Sequence, residues 1–151
     1  MKLAEALIER ADLQREIAQL ENRMRQNVKV QEGDKPAEDV EKLLPQYERK
    51  MADLEGLIIR INKTNHEASF DTVTLADAIA KRDCLKSKIR AYRDLHEAAS
   101  ISQERYSNKE IKFIRCIDVA TLQDRIDHLA KEYRELDTKL QAMNWAVDLL
   151  D

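Results

Sequence analysis

Few side chains in this sequence have the types and spacing that chemistry requires. His128 has Asp124 and Glu132 one turn to either side, which puts an imidazole and two carboxylates on one helix face. The set could supply half of a metal site, but the heptad frame described below turns it toward solvent, where a charged face is ordinary. Asn62, Asn65 and His66, with Thr64, form a polar cluster at the end of a helical stretch and are the candidate ligand group. Asparagine there also suits the left-handed turn that closes a helix. His96 falls on an apolar face, where a hydrogen-bonded core histidine is the expected reading. Cys84 and Cys116 lie in segments of different character and are expected to be free thiols. Cys84 stands among cations, with no histidine spaced to activate it.

No Cys/His spacing points to zinc, and the Glu-x-x-His pairs of di-iron bundles are absent. There is no P-loop, GxGxxG or GxSxG. The sequence therefore predicts no catalytic residue, no cofactor and no metal, and the chain is not expected to be an enzyme. One charged run stands out. Lys81 to Asp94 (KRDCLKSKIRAYRD) has six basic residues against two acidic, net +4. It could track phosphates, but basic clustering without a motif is weak evidence, and the whole chain carries a formal charge of -3. Nucleic acid is not the expected partner.

The elements that would position these residues are helices. Charged residues make up 36% and hydrophobic ones 43% of the 151, with aromatics at 5% and only 2 Gly and 2 Pro. So few breakers in a chain of this composition read as long helices or coiled coil. Glu5, Glu9 and Arg10 interrupt the apolar run that a signal peptide needs. No stretch of about 18 apolar residues suggests a membrane span. The expected location is the cytoplasm.

Four helical segments follow from periodicity. The first covers about Leu3 to Val30, with Leu3, Ala6, Leu13, Ile17, Leu20 and Met24 on one face and Arg10 and Asn27 as polar interruptions. QEGDKPAED (31–39) is a loop. The second covers about Val40 to Asn65 on the stripe Val40, Leu44, Tyr47, Met51, Leu54, Ile58, Ile61 and Asn65. Pro45 suggests a kinked turn before its regular part. Gly56, unfavourable in a helix interior, suggests a close approach of another helix. After the short connection HEASFDTVT (66–74), Thr74 and Asp77 form a near capping box for the third helix, to about Ser100. Its stripe is Leu75, Ala78, Leu85, Ile89, Tyr92 and Ala99, interrupted by Arg82 and His96. Polar residues on such seams commonly set register. Residues 101–117, rich in β-branched and aromatic side chains near the end, read as a short hairpin or extended arm, with a helix start at Ser107 as the competing reading.

The fourth helix has the most regular pattern. Asp118 is a suitable N-cap. Val119, Leu122, Ile126, Leu129, Tyr133, Leu136, Leu140, Met143, Val147 and Leu150 then follow a heptad without a miss. Helices of this size are about 40 Å long at 1.5 Å per residue. Short connections make neighbours antiparallel. The expected fold is all-α, a single domain over 1–151 forming an elongated antiparallel bundle of about four long helices. Its narrow stripes predict that the seam of the fourth helix is completed by a second copy, as a dimer or larger homo-oligomer.

The chain also resembles the septicolysin-like family of small bacterial proteins over nearly its whole length. The resemblance is carried by MKLAEALIERADLQREI, QEGDKPAED, LIIRINKTN and LADAIAKRD, and above all by RYSNKEIKFIRCIDVATLQ and LAKEYRELDTKLQAMNW. The family name implies a membrane-active cytolysin and brings no assigned catalytic residues. The residues themselves favour a self-associating cytoplasmic protein with a structural or partner-binding role. A metal- or ligand-binding helical protein, with its site near Asn62, Asn65 and His66, is the further alternative.

Overall fold

The computed structural model describes residues 1–100 and 112–151. Among them are four helices, α1 (Leu3–Asn27), α2 (Val40–Glu67), α3 (Leu75–Ala99) and α4 (Val119–Ala146), with two-residue strands β1 (Ser69–Phe70) and β2 (Val73–Thr74) between α2 and α3. Over the described residues the chain is all-α with one small antiparallel hairpin. No described helix is long and apolar enough to cross a membrane. Two compact units make up the chain: Met1–Ala76 with Gln141–Asp151, and Asp77–Leu140.

The first unit is built on the antiparallel pair α1 and α2. Leu3, Ala6, Leu13, Ile17 and Leu20 of α1 are buried, as the periodicity predicts, together with Ala4. On α2 the buried set is Leu43, Leu54, Leu57, Ile61 and Thr64. This corrects the expected stripe: Leu44 and Met51 are exposed, and Leu43 and Leu57 take the core. Two heptads overlap on α2, sharing Tyr47, Leu54 and Ile61. The one that faces α1 includes Lys50, which pairs with Glu16, and Thr64. Its polar members conceal it from hydrophobicity alone.

Other boundaries move for local reasons. α1 stops at Asn27 rather than near Val30. The Asn27 amide donates to the Arg23 carbonyl at 2.8 Å, and its oxygen accepts the Glu38 N–H at 3.0 Å, which ties the loop to the helix end. Gly33, at φ +92°, makes the left-handed turn in that loop. α2 begins at Val40 and runs through Pro45, because the Asp39 carboxylate caps it by accepting the Glu41 N–H at 3.0 Å. Gly56 marks no close helix contact: a Cβ there would meet nothing within 4 Å. α4 ends at Ala146, short of the expected Val147 and Leu150. Residues 147–149 pair instead with the strand-like start of the chain, Leu3 N–H to Val147 O at 3.0 Å and Leu149 N–H to Met1 O at 2.9 Å. Lys2 bridges Asp148 at 2.8 Å.

The hairpin arises where only a short connection was expected. Ser69 pairs with Thr74 and Phe70 with Val73. Asp71 adopts φ 52°, a left-handed conformation that Asp tolerates better than most residues. The hairpin or extended arm expected around 101–117 falls mostly on 101–111, outside the described residues, and 112–117 contain no strand.

The second unit is the antiparallel pair formed by α3 and the first part of α4. Ala78, Leu85 and Ile89 of α3 and Leu122, Ile126 and Leu140 of α4 are its buried apolar residues. Asp118 caps α4 as expected, accepting the Ala120 N–H at 3.0 Å and the Thr121 hydroxyl at 2.9 Å. These donors, the Thr121 side chain foremost, hold the Asp118 carboxyl below its ordinary range.

Candidate functional site

Ion pairs cross between the two helices of the second unit. Arg82, an expected seam interruption on α3, reaches Asp137 of α4 at 3.4 Å and Asp83 at 2.9 Å. Burial works against its charge, but the two aspartates outweigh that and raise its pKa. The adjacent Lys81 bridges Glu132 at 3.3 Å. This engages one carboxylate of the Asp124, His128 and Glu132 set. His128 itself is exposed, and no group of three or more metal-ligating side chains occurs among the described residues.

Beyond Arg82 the charge balance along the helix pair changes. α3 and α4 bound a groove of about 610 Å³ lined by Lys86, Ile89, Arg90, Arg93, Tyr133 and Arg134, with Ser87, Asp94 and Ala130 completing it. Ile89 is buried, and Ala130 and Tyr133 are half-buried; they form an apolar floor. Lys86, Arg90 and Arg93 stand on the wall contributed by α3, and Arg134 stands on that of α4. None of the four has an ion pair among the described residues. Asp94 is the one carboxylate in the lining. The antiparallel register explains the gathering: with Arg82 opposite Asp137, Lys86 comes to lie opposite Tyr133 and Ile89 opposite Ala130. The sequence showed the basic run on α3 but not its completion by Arg134 and Tyr133, which needs that register.

The groove can hold an anionic partner that also offers apolar surface. Guanidinium groups bind carboxylates or phosphates in a fixed planar geometry. A partner that covered the floor would dehydrate these charges and strengthen their pairing. Ser87 is the one hydroxyl of an aliphatic side chain in the lining, and no histidine stands beside it there.

The remaining expected site residues are dispersed. Asn62 and His66 are exposed, and the His66 Nδ1 lies 2.7 Å from the Asn62 carbonyl within one helical turn. Asn65 is half-buried, and its Oδ1 has no hydrogen-bond partner among the described residues. The chemistry beside them fastens the segment 147–151. Buried Thr64 accepts the Leu150 N–H at 3.0 Å, Arg60 donates to the Leu150 carbonyl at 3.1 Å, and Lys63 donates to the Asp151 carbonyl at 2.8 Å. His96 is half-buried, and its ring makes no hydrogen bond among the described residues, unlike the core histidine expected. Cys84 and Cys116 are free and exposed. In the α4 seam, Leu122, Ile126 and Leu140 are buried, while Val119, Leu129, Tyr133, Leu136, Met143, Val147 and Leu150 are half-buried.

No curated protein matches the chain. It is similar to a solved structure, the crystal structure of a functionally unknown conserved protein from Corynebacterium diphtheriae, with 39% sequence identity, a TM-score of 0.91, and coverage of 99% of each chain. The model of DUF6847, a family of unknown function, matches residues 10–149, and the chain belongs to that family.

Proposed function

We propose that this protein works by binding protein surfaces, its own copies first, rather than by catalysis. The observation that carries the reading is the groove of the second unit, where Lys86, Arg90, Arg93 and Arg134 surround an apolar floor without ion-pair partners among the described residues. Arg82, by contrast, is placed against Asp137 of the facing helix. The four are left outward around Tyr133, a member of the half-covered α4 seam. Seams of this kind are where helices accept further helices.

Native mass spectrometry of protein purified gently from its own host tests the reading. The expected spectrum shows a homo-oligomer, with or without a second protein. A monomer carrying a metal or a small molecule as its one addition would overturn it.

A further inference from the structure

We infer that the occupant of the cationic groove is the outer face of α2 from a second copy of this chain, an inference that rests on the self-association proposed above. The α2 face not used by the core is itself amphipathic. Leu44, Met51 and Ile59 are exposed there at 38%, 40% and 59%. Glu41, Glu48 and Glu55 recur at seven-residue intervals on the same side of the helix. None of these glutamates has an ion pair among the described residues. By helical phase Lys42, Arg49 and Arg60 project roughly a third of a turn from Glu48, and Lys63, which lies nearer, donates to the Asp151 carbonyl, so the arc from Glu41 to Ile59 is acidic and apolar.

The two surfaces match in sign, polarity and spacing. Seven residues of helix advance about 10.5 Å at 1.5 Å per residue, and that interval separates Glu48 from Glu55 on α2 and Lys86 from Arg93 on α3. A helix laid along the groove with its glutamates at the cationic rim brings Met51, midway between them, to the floor of Ile89, Ala130 and Tyr133. This is the helix-in-groove mode of recognition. Charge over longer range favours it as well. Asp77–Leu140 carries 14 Lys and Arg against 12 Asp and Glu, while Met1–Ala76 with Gln141–Asp151 carries 12 against 17. The groove cannot pair with its own copy about a two-fold axis, because that would set like charges face to face. The contact joins different patches: reciprocal exchange closes a dimer, and one-way contact builds a ring or an open filament.

Charge reversal tests this on the full chain. Lys86→Glu with Arg93→Glu reverses the groove, and Glu48→Lys with Glu55→Lys reverses the α2 face. All four positions are exposed, and circular dichroism checks that each variant remains helical. Sedimentation velocity should show that each double variant associates at least about tenfold more weakly than the wild type, since like charges at a rim repel. An equimolar mixture of the two variants should regain association, because each restores the sign its counterpart lost. Oligomers unchanged in both variants would overturn the inference while leaving self-association intact. A wild-type chain that stays monomeric would overturn both. An oligodeoxythymidylate bound by the wild type and by the α2 variant but not by the groove variant would give the groove to phosphates and overturn it too.

Discussion

The two helix pairs use the same architecture and treat their charges in opposite ways. Across α1 and α2, Glu16 meets Lys50, Glu21 accepts from Tyr47, and Arg23 holds Glu38 from the connecting loop. The segment 147–151 is then fastened by Lys2, Arg60, Lys63 and Thr64. Between α3 and α4 the cross-helix ion pairs, Lys81 with Glu132 and Arg82 with Asp137, stand at one end, and the cations that follow face an apolar floor. The first pair uses several of its charges in contacts between its own helices, loop and C-terminal segment. The second leaves the four cations of its groove without an ion pair among the described residues. The two pairs differ in where their counter-charges stop, without any change of fold.

Leu136→Asp should have the largest effect on that contrast. Leu136 is half-buried in the α4 seam, and an unpaired carboxylate there is strongly unfavourable. Loss of association or of helicity is expected, read by sedimentation and circular dichroism. Unchanged mass and helicity would show that the seam frame is wrong. Ile61→Ala comes next and strikes the closed pair, where Ile61 is 1% exposed. The cavity should cost roughly 2 to 5 kcal/mol. Urea unfolding followed through Trp145, the one tryptophan and part of the same unit, reads it.

Gly56→Ala should act in the other direction on the same pair. With open space around its Cβ position, alanine removes only the glycine's entropic disadvantage and should stabilise by up to about 1 kcal/mol; destabilisation would reveal a neighbour that the structure does not show. A smaller effect is expected from acid. Glu38, held by Arg23, and Asp148, held by Lys2, both sit below their ordinary values in the first unit, and Asp118, held by Thr121, does so in the second. A lowered carboxylate contributes fully above its unfolded value and loses that contribution as pH falls through the folded one. Stability should therefore be flat near neutrality and fall only below the ordinary carboxylate range, with Lys2→Met removing part of the fall. Equal steepness in Lys2→Met would mean that the Lys2 bridge contributes nothing. Finally, dye-loaded liposomes should keep their contents in the presence of the protein. Release would favour the membrane activity that the septicolysin-like resemblance implies.

The number of helices, their approximate ends and the core faces of α1, α3 and α4 were legible in the sequence, because apolar residues recur there with the period of the helix. The Asp118 cap was legible because capping needs only local chemistry. On α2 the period was clear but its partner face was not. Two heptads share Tyr47, Leu54 and Ile61, and Lys50 and Thr64 disguise the one that packs. Which heptad is buried depends on what α1 presents to it. The sequence likewise determined the basic run on α3, a property of composition. Its union with Tyr133 and Arg134 of α4 depends on the antiparallel register that Arg82 and Asp137 help to fix. The fastening of residues 147–151 by Lys2, Arg60 and Thr64 joins positions far apart in the chain. Local periodicity is written along one helix, whereas register and closure are relations between segments, and only the tertiary structure decides them.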